Sequence, residues 1–231
     1  MKIKNAFALI CYALTLFICF ILPIILAVYI SRRAKAPTYA VVAGIAIFLI
    51  FQVFTRIPLL GYIQGTSWYF HYVSFNVWAS IAFWAGSAGV FEECGRFLAF
   101  RYWLKRDLSW SCGIAYGIGH GGIEAMYIGV AFVSAVKDIY SLAPLTLLLP
   151  GAERLLAMVI QIALSLVVLY GVRNRKYIFL LWAILLHAAI DAPIFLVHNV
   201  FILEGFVLVA ALIAGFYIYR SRHFLGFQPV S

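Results

Sequence analysis

Residues 6–30 read AFALICYALTLFICFILPIILAVYI, an unbroken apolar run without a charged side chain. A helix needs about 20 apolar residues to cross the hydrocarbon core of a bilayer. The run is too long for the apolar part of a cleaved signal peptide. It therefore predicts a retained transmembrane helix at the start of the chain.

Further runs of this kind follow along the chain, at 38–55, 75–100, 109–133, 146–170, 177–198 and 200–220. The 231 residues are 66% hydrophobic and 11% charged, whereas soluble domains are about 45–50% apolar and about 25% charged. The sequence predicts an all-α, polytopic bundle of about seven spanning helices in the cell membrane. It forms one integral membrane domain over residues 1–231, with an interfacial or re-entrant connection at 56–74.

The basic residues indicate how the bundle is oriented. The connections after the first, third, fifth and seventh spans contain Arg32, Arg33, Lys35, Arg101, Lys105, Arg106, Arg173, Arg175, Lys176, Arg220 and Arg222. The opposite connections contain only Lys2, Lys4, Arg56 and Lys137. By the positive-inside rule, the N-terminus is outside and the C-terminus is cytoplasmic. The net charge of +9 is then explained by orientation and anionic lipid, and no nucleic-acid partner is predicted.

Five acidic residues and two histidines stand out inside the predicted spans: Glu92, Glu93, His120, Glu124, Glu153, His187 and Asp191. A charged group at the bilayer centre costs about 2.5–3.5 kcal/mol on insertion scales, so such residues usually face a polar cavity and carry function. With a rise of about 1.5 Å per residue, Glu92, His120 and His187 lie about 13–16 Å from the cytoplasmic ends of their helices. This shared depth predicts that the three side chains meet.

The spacing of these residues predicts a polar stripe on each helix. Residues four apart share a helix face, and the pairs are Glu92 with Arg96, His120 with Glu124, and His187 with Asp191. Glu93 points about 100° away from Glu92. We therefore expect Glu93 to pair with another helix or to supply a second carboxylate.

Small residues recur every fourth position in the fourth span, at Ser109, Gly113, Gly117, Gly121, Ala125 and Gly129. Such a ladder lets another helix approach closely and predicts helix packing. Gly119 and Gly122 flank His120, which predicts free space around its ring. Glu153 and Arg154 follow Pro150 and Gly151 near the end of the fifth span and are predicted to form an interfacial ion pair outside the site.

The buried residues supply two carboxyl groups and two imidazoles, which can activate a water molecule and stabilise an oxyanion. The chain lacks the GxSxG and HExxH motifs, although HGGIE and HAAID each place two candidate ligands on one helix face. The predicted chemistry is the hydrolysis of an amide close to the membrane plane.

Three motifs in order carry a family resemblance: FEECGR at 91–96, GIGHGGIEA at 117–125 and HAAID at 187–191. They resemble the YhfC family, which belongs to a wider group of intramembrane proteases with PrsW-type enzymes and type II CAAX prenyl endopeptidases. The spacing from Glu92 to Arg96 is nearer the PrsW pattern, so the resemblance does not imply prenylated substrates. Related chains have His at the position of Gln161, which weakens a ligand or relay role there.

The resemblance implies a glutamic-type intramembrane protease that acts on a membrane protein or peptide. It implies that Glu92 and His120 activate water and that His187 and Asp191 stabilise the oxyanion. The other members of the implied site are the catalytic Glu93 and the supporting residues Arg96 and Glu124.

Two alternatives remain at the level of sequence. In the first, His120, His187 and Glu92 hold zinc in a metalloprotease, although no cofactor is predicted by the main hypothesis. In the second, the protein is a transporter or binding scaffold whose buried groups relay protons or bind cations. The odd number of helices and the lack of an apparent inverted repeat argue against a transporter.

Overall fold

The structure is a computed structural model that describes residues 2–33 and 36–226, with side chains from Asn5 onward. Lys35 and the side chains of Lys2 and Lys4, which contribute to the predicted orientation, lie outside the described residues.

Helix accounts for 86% of the described residues, which contain no strand. Seven long helices follow one another: α1 Asn5–Arg33, α2 Thr38–Gln64, α3 from Val77 to Trp103, α4 Trp110–Ala135, α5 Pro144–Arg173, α6 Ile178–Phe195 and α7 Val200–Leu225. All except α3 are long and apolar enough to cross a membrane. The sequence of α3 is less apolar because it contains Glu92, Glu93 and Arg96. The prediction of an all-α, multi-pass membrane protein is confirmed.

Helix α4 lies between α2 and α5 and packs along both. A Cβ atom on Gly117 would lie 2.6 Å from Ile162 Cα of α5, so the predicted ladder serves close helix packing. A Cβ atom on Gly119 would lie only 2.1 Å from the Val41 carbonyl oxygen of α2. The prediction of free space beside His120 is therefore wrong, because the α2 backbone occupies it.

The segment 56–74 is not one loop. Helix α2 continues to Gln64, and a short helix, Ser67–Tyr72, follows a turn at Gly65. Thr66 caps the short helix by accepting a hydrogen bond from the Tyr69 amide at 3.3 Å, as N-terminal Thr residues commonly do. Arg56 consequently lies within α2 and is 7% exposed, so its prediction as a loop charge is wrong.

The peripheral helices define where the site lies. Helix α3 packs against α6, and α7 packs against α5. Between these pairs is a cavity of about 460 Å³, lined by residues of α2 to α7. Most of the ionisable residues identified above line this cavity or lie directly behind its wall.

Candidate active site

The central contact of the cavity joins α3 to α4. The Oε2 atom of Glu92 lies 3.0 Å from Nε2 of His120. Glu92 is 4% exposed and His120 is fully buried, so bulk water does not compete for this bond. Glu92 lines the cavity while His120 lies behind it. The prediction that these two side chains meet is confirmed.

A second contact layer is built around Glu93, whose side chain is fully buried. Nη1 of Arg96 donates to both carboxylate oxygens of Glu93 at 2.9 Å. Nδ1 of His187 on α6 lies 2.8 Å from Oε1 of the same carboxylate. Arg96 shares a helix face with Glu92 by its spacing, but its guanidinium bonds to Glu93. The expectation that Glu93 pairs with another helix is confirmed.

The contact with Glu93 sets the direction of the His187 ring. Because Nδ1 is hydrogen-bonded to a carboxylate, Nε2 is directed to the other side of the ring. Nε2 lies 3.9 Å from Oε2 of Glu92 and 3.6 Å from Oδ2 of Asp191. All three residues line the cavity. Asp191 is the most exposed of them, since 42% of its side chain is accessible.

Gln161 of α5 connects the Glu92–His120 contact with the second contact layer around Glu93. Its Oε1 atom accepts a hydrogen bond from Nη2 of Arg96 at 2.5 Å. Its Nε2 atom donates to Oε2 of Glu92 at 3.1 Å and to Oε2 of Glu124 at 2.8 Å. An amide suits this position because it offers both an acceptor to Arg96 and donors to the carboxylates. The sequence assigned Gln161 no clear role, and no local pattern around it indicates one.

The pair Glu153 and Arg154 belongs to the cavity wall. Arg154 donates to Glu153 Oε1 at 2.6 Å and to Glu124 Oε1 at 2.7 Å. The predicted ion pair is therefore present, but its predicted position outside the site is wrong. Helix α5 begins at Pro144 and passes through Pro150, which brings both residues down to the level of the cavity.

Arg56 is the residue that sequence reasoning missed. Its guanidinium donates to Ser87 Oγ at 3.0 Å, to Gln52 Oε1 at 3.1 Å and to the Trp84 carbonyl oxygen at 2.5 Å. Wide, π-type turns at Leu49–Arg56 and Ala82–Gly86 bring the two helices into this contact, and such turns are frequent at functional sites.

The charge of Arg56 has no direct counterion in the described part of the chain. Within the described residues, no carboxylate lies within ion-pair distance of it. A guanidinium has five N–H donors, and the three bonds above leave donors for a molecule in the cavity, which Arg56 also lines. A buried arginine in a spanning helix is costly and usually functional.

The donor atoms also fit a metal ion. One ligand atom each from Glu92, His120 and Glu124 lies within 4.8 Å of the other two. Carboxylate and imidazole groups are ligands that zinc uses in catalytic sites. The carboxylate behind the His187 ring is a further feature of metal-binding histidines. His120 lacks that support, since its buried Nδ1 has no partner among the described atoms.

Comparisons with known proteins show the family of this chain. The family model described as YhfC intramembrane metalloprotease matches residues 18–140 and 131–216. The chain belongs to the YhfC family. A related protein, the uncharacterized membrane protein YhfC of Bacillus subtilis (strain 168), is 32% identical over 244 positions, which cover 92% of this chain and 94% of the relative. The family description supports a membrane-embedded peptidase, and the predicted family is confirmed.

The predicted residues converge as a group. Glu92, Glu93, Arg96, His120, Glu124, His187 and Asp191 all lie in or directly behind one cavity wall. Arg56, Glu153 and Arg154 join them only through the packing of distant helices.

Proposed function

We propose that this protein is an intramembrane peptidase in which Glu92 activates the attacking water without a metal ion. The supporting observation is the environment of its carboxylate. His120 and Gln161 both contact Oε2, whereas no described side chain donates to Oε1. Glu92 lines the cavity, so the second oxygen is available to a water molecule. A base held in this way is within reach of its proton, as general base catalysis requires.

The proposed reaction is hydrolysis of one peptide bond. Glu92 accepts a proton from water, and the water oxygen attacks the carbonyl carbon of the substrate. The carbonyl oxygen takes up the electron pair and becomes an oxyanion. When the carbonyl re-forms, the C–N bond breaks and the proton on Glu92 passes to the leaving nitrogen. The products are a carboxylic acid and an amine.

His187 is the proposed donor to the oxyanion. Glu93 accepts the Nδ1 proton of the ring, and Arg96 holds Glu93 in place through both carboxylate oxygens. A second proton on Nε2 then points to the space beside Glu92. Donors fixed before the reaction stabilise developing charge most effectively, because they need no reorganisation. Asp191, when protonated, would add a second donor at the same place.

Arg56 is proposed to position the substrate. Its remaining N–H groups face a cavity that also contains Glu92 and Asp191. Carbonyl oxygens of an extended substrate backbone are suitable acceptors for these donors. The bonds to Ser87, Gln52 and Trp84 fix the guanidinium before the substrate arrives, which lowers the entropic cost of binding.

Cleavage by the purified protein tests the proposal. A library of quenched fluorescent membrane peptides is incubated with protein in nanodiscs and excess EDTA. Wild-type protein should cleave at least one peptide, and Glu92→Gln should reduce kcat/KM by about 10²–10⁴-fold, the usual contribution of a general base. Glu204→Gln is the matched control, since Glu204 lines the same cavity without contacting Glu92. Full activity of Glu92→Gln would disprove the assignment.

A zinc peptidase is the second candidate, favoured by the cluster of Glu92, His120 and Glu124 ligand atoms and by the family description. These three residues would hold the ion, with Nε2 of His187 nearby. Bound zinc would polarise the substrate carbonyl or a water molecule as a Lewis acid. Elemental analysis distinguishes the candidates: stoichiometric zinc that is lost in Glu124→Gln, together with inactivation by EDTA, would replace the metal-free mechanism.

A further inference from the structure

Within the described residues, the side chains that line the cavity lie toward one end of the bundle. They include Ile194, Phe195 and Val200, where α6 ends and α7 begins, and we call this the mouth end. Glu92, Gln161 and Leu164 line the cavity at its deepest level. Glu92 is fifteen residues from the start of α3 at Val77, which corresponds to about 22 Å along the helix. The cavity therefore reaches the middle of the bundle from this end.

The opposite side of the site is sealed. Phe100 and Tyr116 are fully buried, and Leu104 is 1% exposed. The rings of Phe100 and Tyr116 have centroids 4.8 Å apart, and the Tyr116 ring lies 6.1 Å from the His120 ring. Within the part of the chain that the structure describes, no cavity-lining residue follows Glu92 in α3 or precedes Glu124 in α4. Close-packed side chains of this kind leave no path for water.

The sealed end is the basic end of the molecule. It contains the ends of α3 and α5 and the turns after them, with Arg101, Lys105, Arg106, Arg173 and Lys176. At the mouth end, Lys2 and Lys4 lie at the N-terminus, and the connections 65–76, 136–143 and 196–199 contain one Lys or Arg, Lys137. Because Arg56 lies within α2 and not in a connection, the difference in basic residues between the two ends is larger than the sequence indicated. By the positive-inside rule, the sealed end faces the cytoplasm.

We propose that the catalytic cavity opens to the non-cytoplasmic side of the membrane. Its substrate is then an exported polypeptide, or the outer part of a transmembrane segment, rather than a cytoplasmic protein. The rim of the mouth favours a membrane-anchored substrate, because Ile194 is 62% exposed and Val200 is 45% exposed. Exposed apolar residues at this place are suited to contact lipid and to admit an apolar segment from the side. The choice of substrate rests on the proposed peptidase activity, whereas the direction of access does not.

Cysteine labelling tests the direction of access. The background variant lacks Cys11, Cys19, Cys94 and Cys112, and a charged, membrane-impermeant methanethiosulfonate is the probe. Ala88 lies one turn before Glu92, and Ala157 lies one turn after Glu153; both line the cavity. Cysteine at either position should be labelled in spheroplasts. Ala99→Cys is the matched control beyond the site, since Ala99 is 1% exposed, and it should remain unlabelled.

Two exposed positions report the orientation of the protein. Ser74→Cys at the mouth end should be labelled in spheroplasts, and Lys105→Cys at the sealed end only in inverted vesicles. Labelling of Ala88→Cys together with Lys105→Cys would overturn the proposal, as would protection of both cavity positions on both sides. Labelling requires no catalysis. An outward-facing cavity without peptidase activity would therefore refute the proposed function alone, and activity with an inward-facing cavity would refute this inference alone.

Discussion

The buried pair Glu93 and Arg96 should be the most stabilising charged contact of the site. Both side chains have no accessible surface, and Arg96 Nη1 donates to both oxygens of Glu93 at 2.9 Å. Removing one partner of such a pair leaves an uncompensated buried charge and costs about 3–5 kcal/mol. Glu93→Gln also weakens the contact to His187. We therefore expect a loss of about 3–5 kcal/mol in the free energy of unfolding of Glu93→Gln.

A variant of Arg96, alone and combined with Glu93→Gln, distinguishes the effect of the charge from the effect of side-chain packing. Arg96→Met should destabilise by a similar amount, because the buried Glu93 carboxylate then keeps only its contact with His187. In the double variant neither charge remains, and the cost should be well below the sum of the two single variants. Residues in direct contact typically show coupling energies of about 0.5–3 kcal/mol, and we expect the upper part of that range. Strictly additive effects would refute the existence of the pair.

The assay is reversible unfolding in mixed micelles, with tryptophan fluorescence followed as the fraction of denaturing detergent rises. Glu204→Gln is the control for loss of a carboxylate, since Glu204 has no ion-pair partner among the described residues. The free energy of unfolding of this variant should lie within about 0.5 kcal/mol of the wild-type value. If Glu93→Gln behaves like this control, the reasoning from burial is wrong.

Two further predictions concern packing and substrate positioning. Gly119→Ala should destabilise the protein by about 1–3 kcal/mol, because the added Cβ would lie 2.1 Å from the Val41 carbonyl oxygen. Gly215→Ala, which lies inside α7 with nothing within 4 Å, should not destabilise the protein in the same assay, because Ala is favoured over Gly in a helix. Arg56→Lys should lower kcat/KM for the cleaved peptide by about tenfold or more, since an ammonium cannot reproduce the fork that binds several acceptors. Arg33→Lys, at an exposed end of α1, should leave kcat/KM unchanged, and equal effects of the two lysine variants would contradict a role for Arg56.

The convergence of the site could be predicted because helix geometry is local. The distance of Glu92, His120 and His187 from their helix ends follows from the rise per residue, and motif order identified the family. Helix geometry alone does not determine the partner of Arg96. Its spacing suits Glu92 and Glu93 equally well on a helix surface, and the position of His187 and Gln161 decides which carboxylate it meets.

The apolar runs by themselves determined a multi-pass helical membrane protein, because only a bilayer can solvate so much apolar surface. They also determined that the acidic and histidine residues within the runs require a common polar environment. Only the tertiary structure decided that Arg56, Glu153 and Arg154 share this environment and that Gln161 links its layers. These contacts join residues between 28 and 69 positions apart. They depend on which helices pack together, and short-range periodicity does not encode that choice. The position of the cavity lining toward one end has the same origin: Phe100, Tyr116 and Leu104 fill the space at the other end when α3 and α4 pack together.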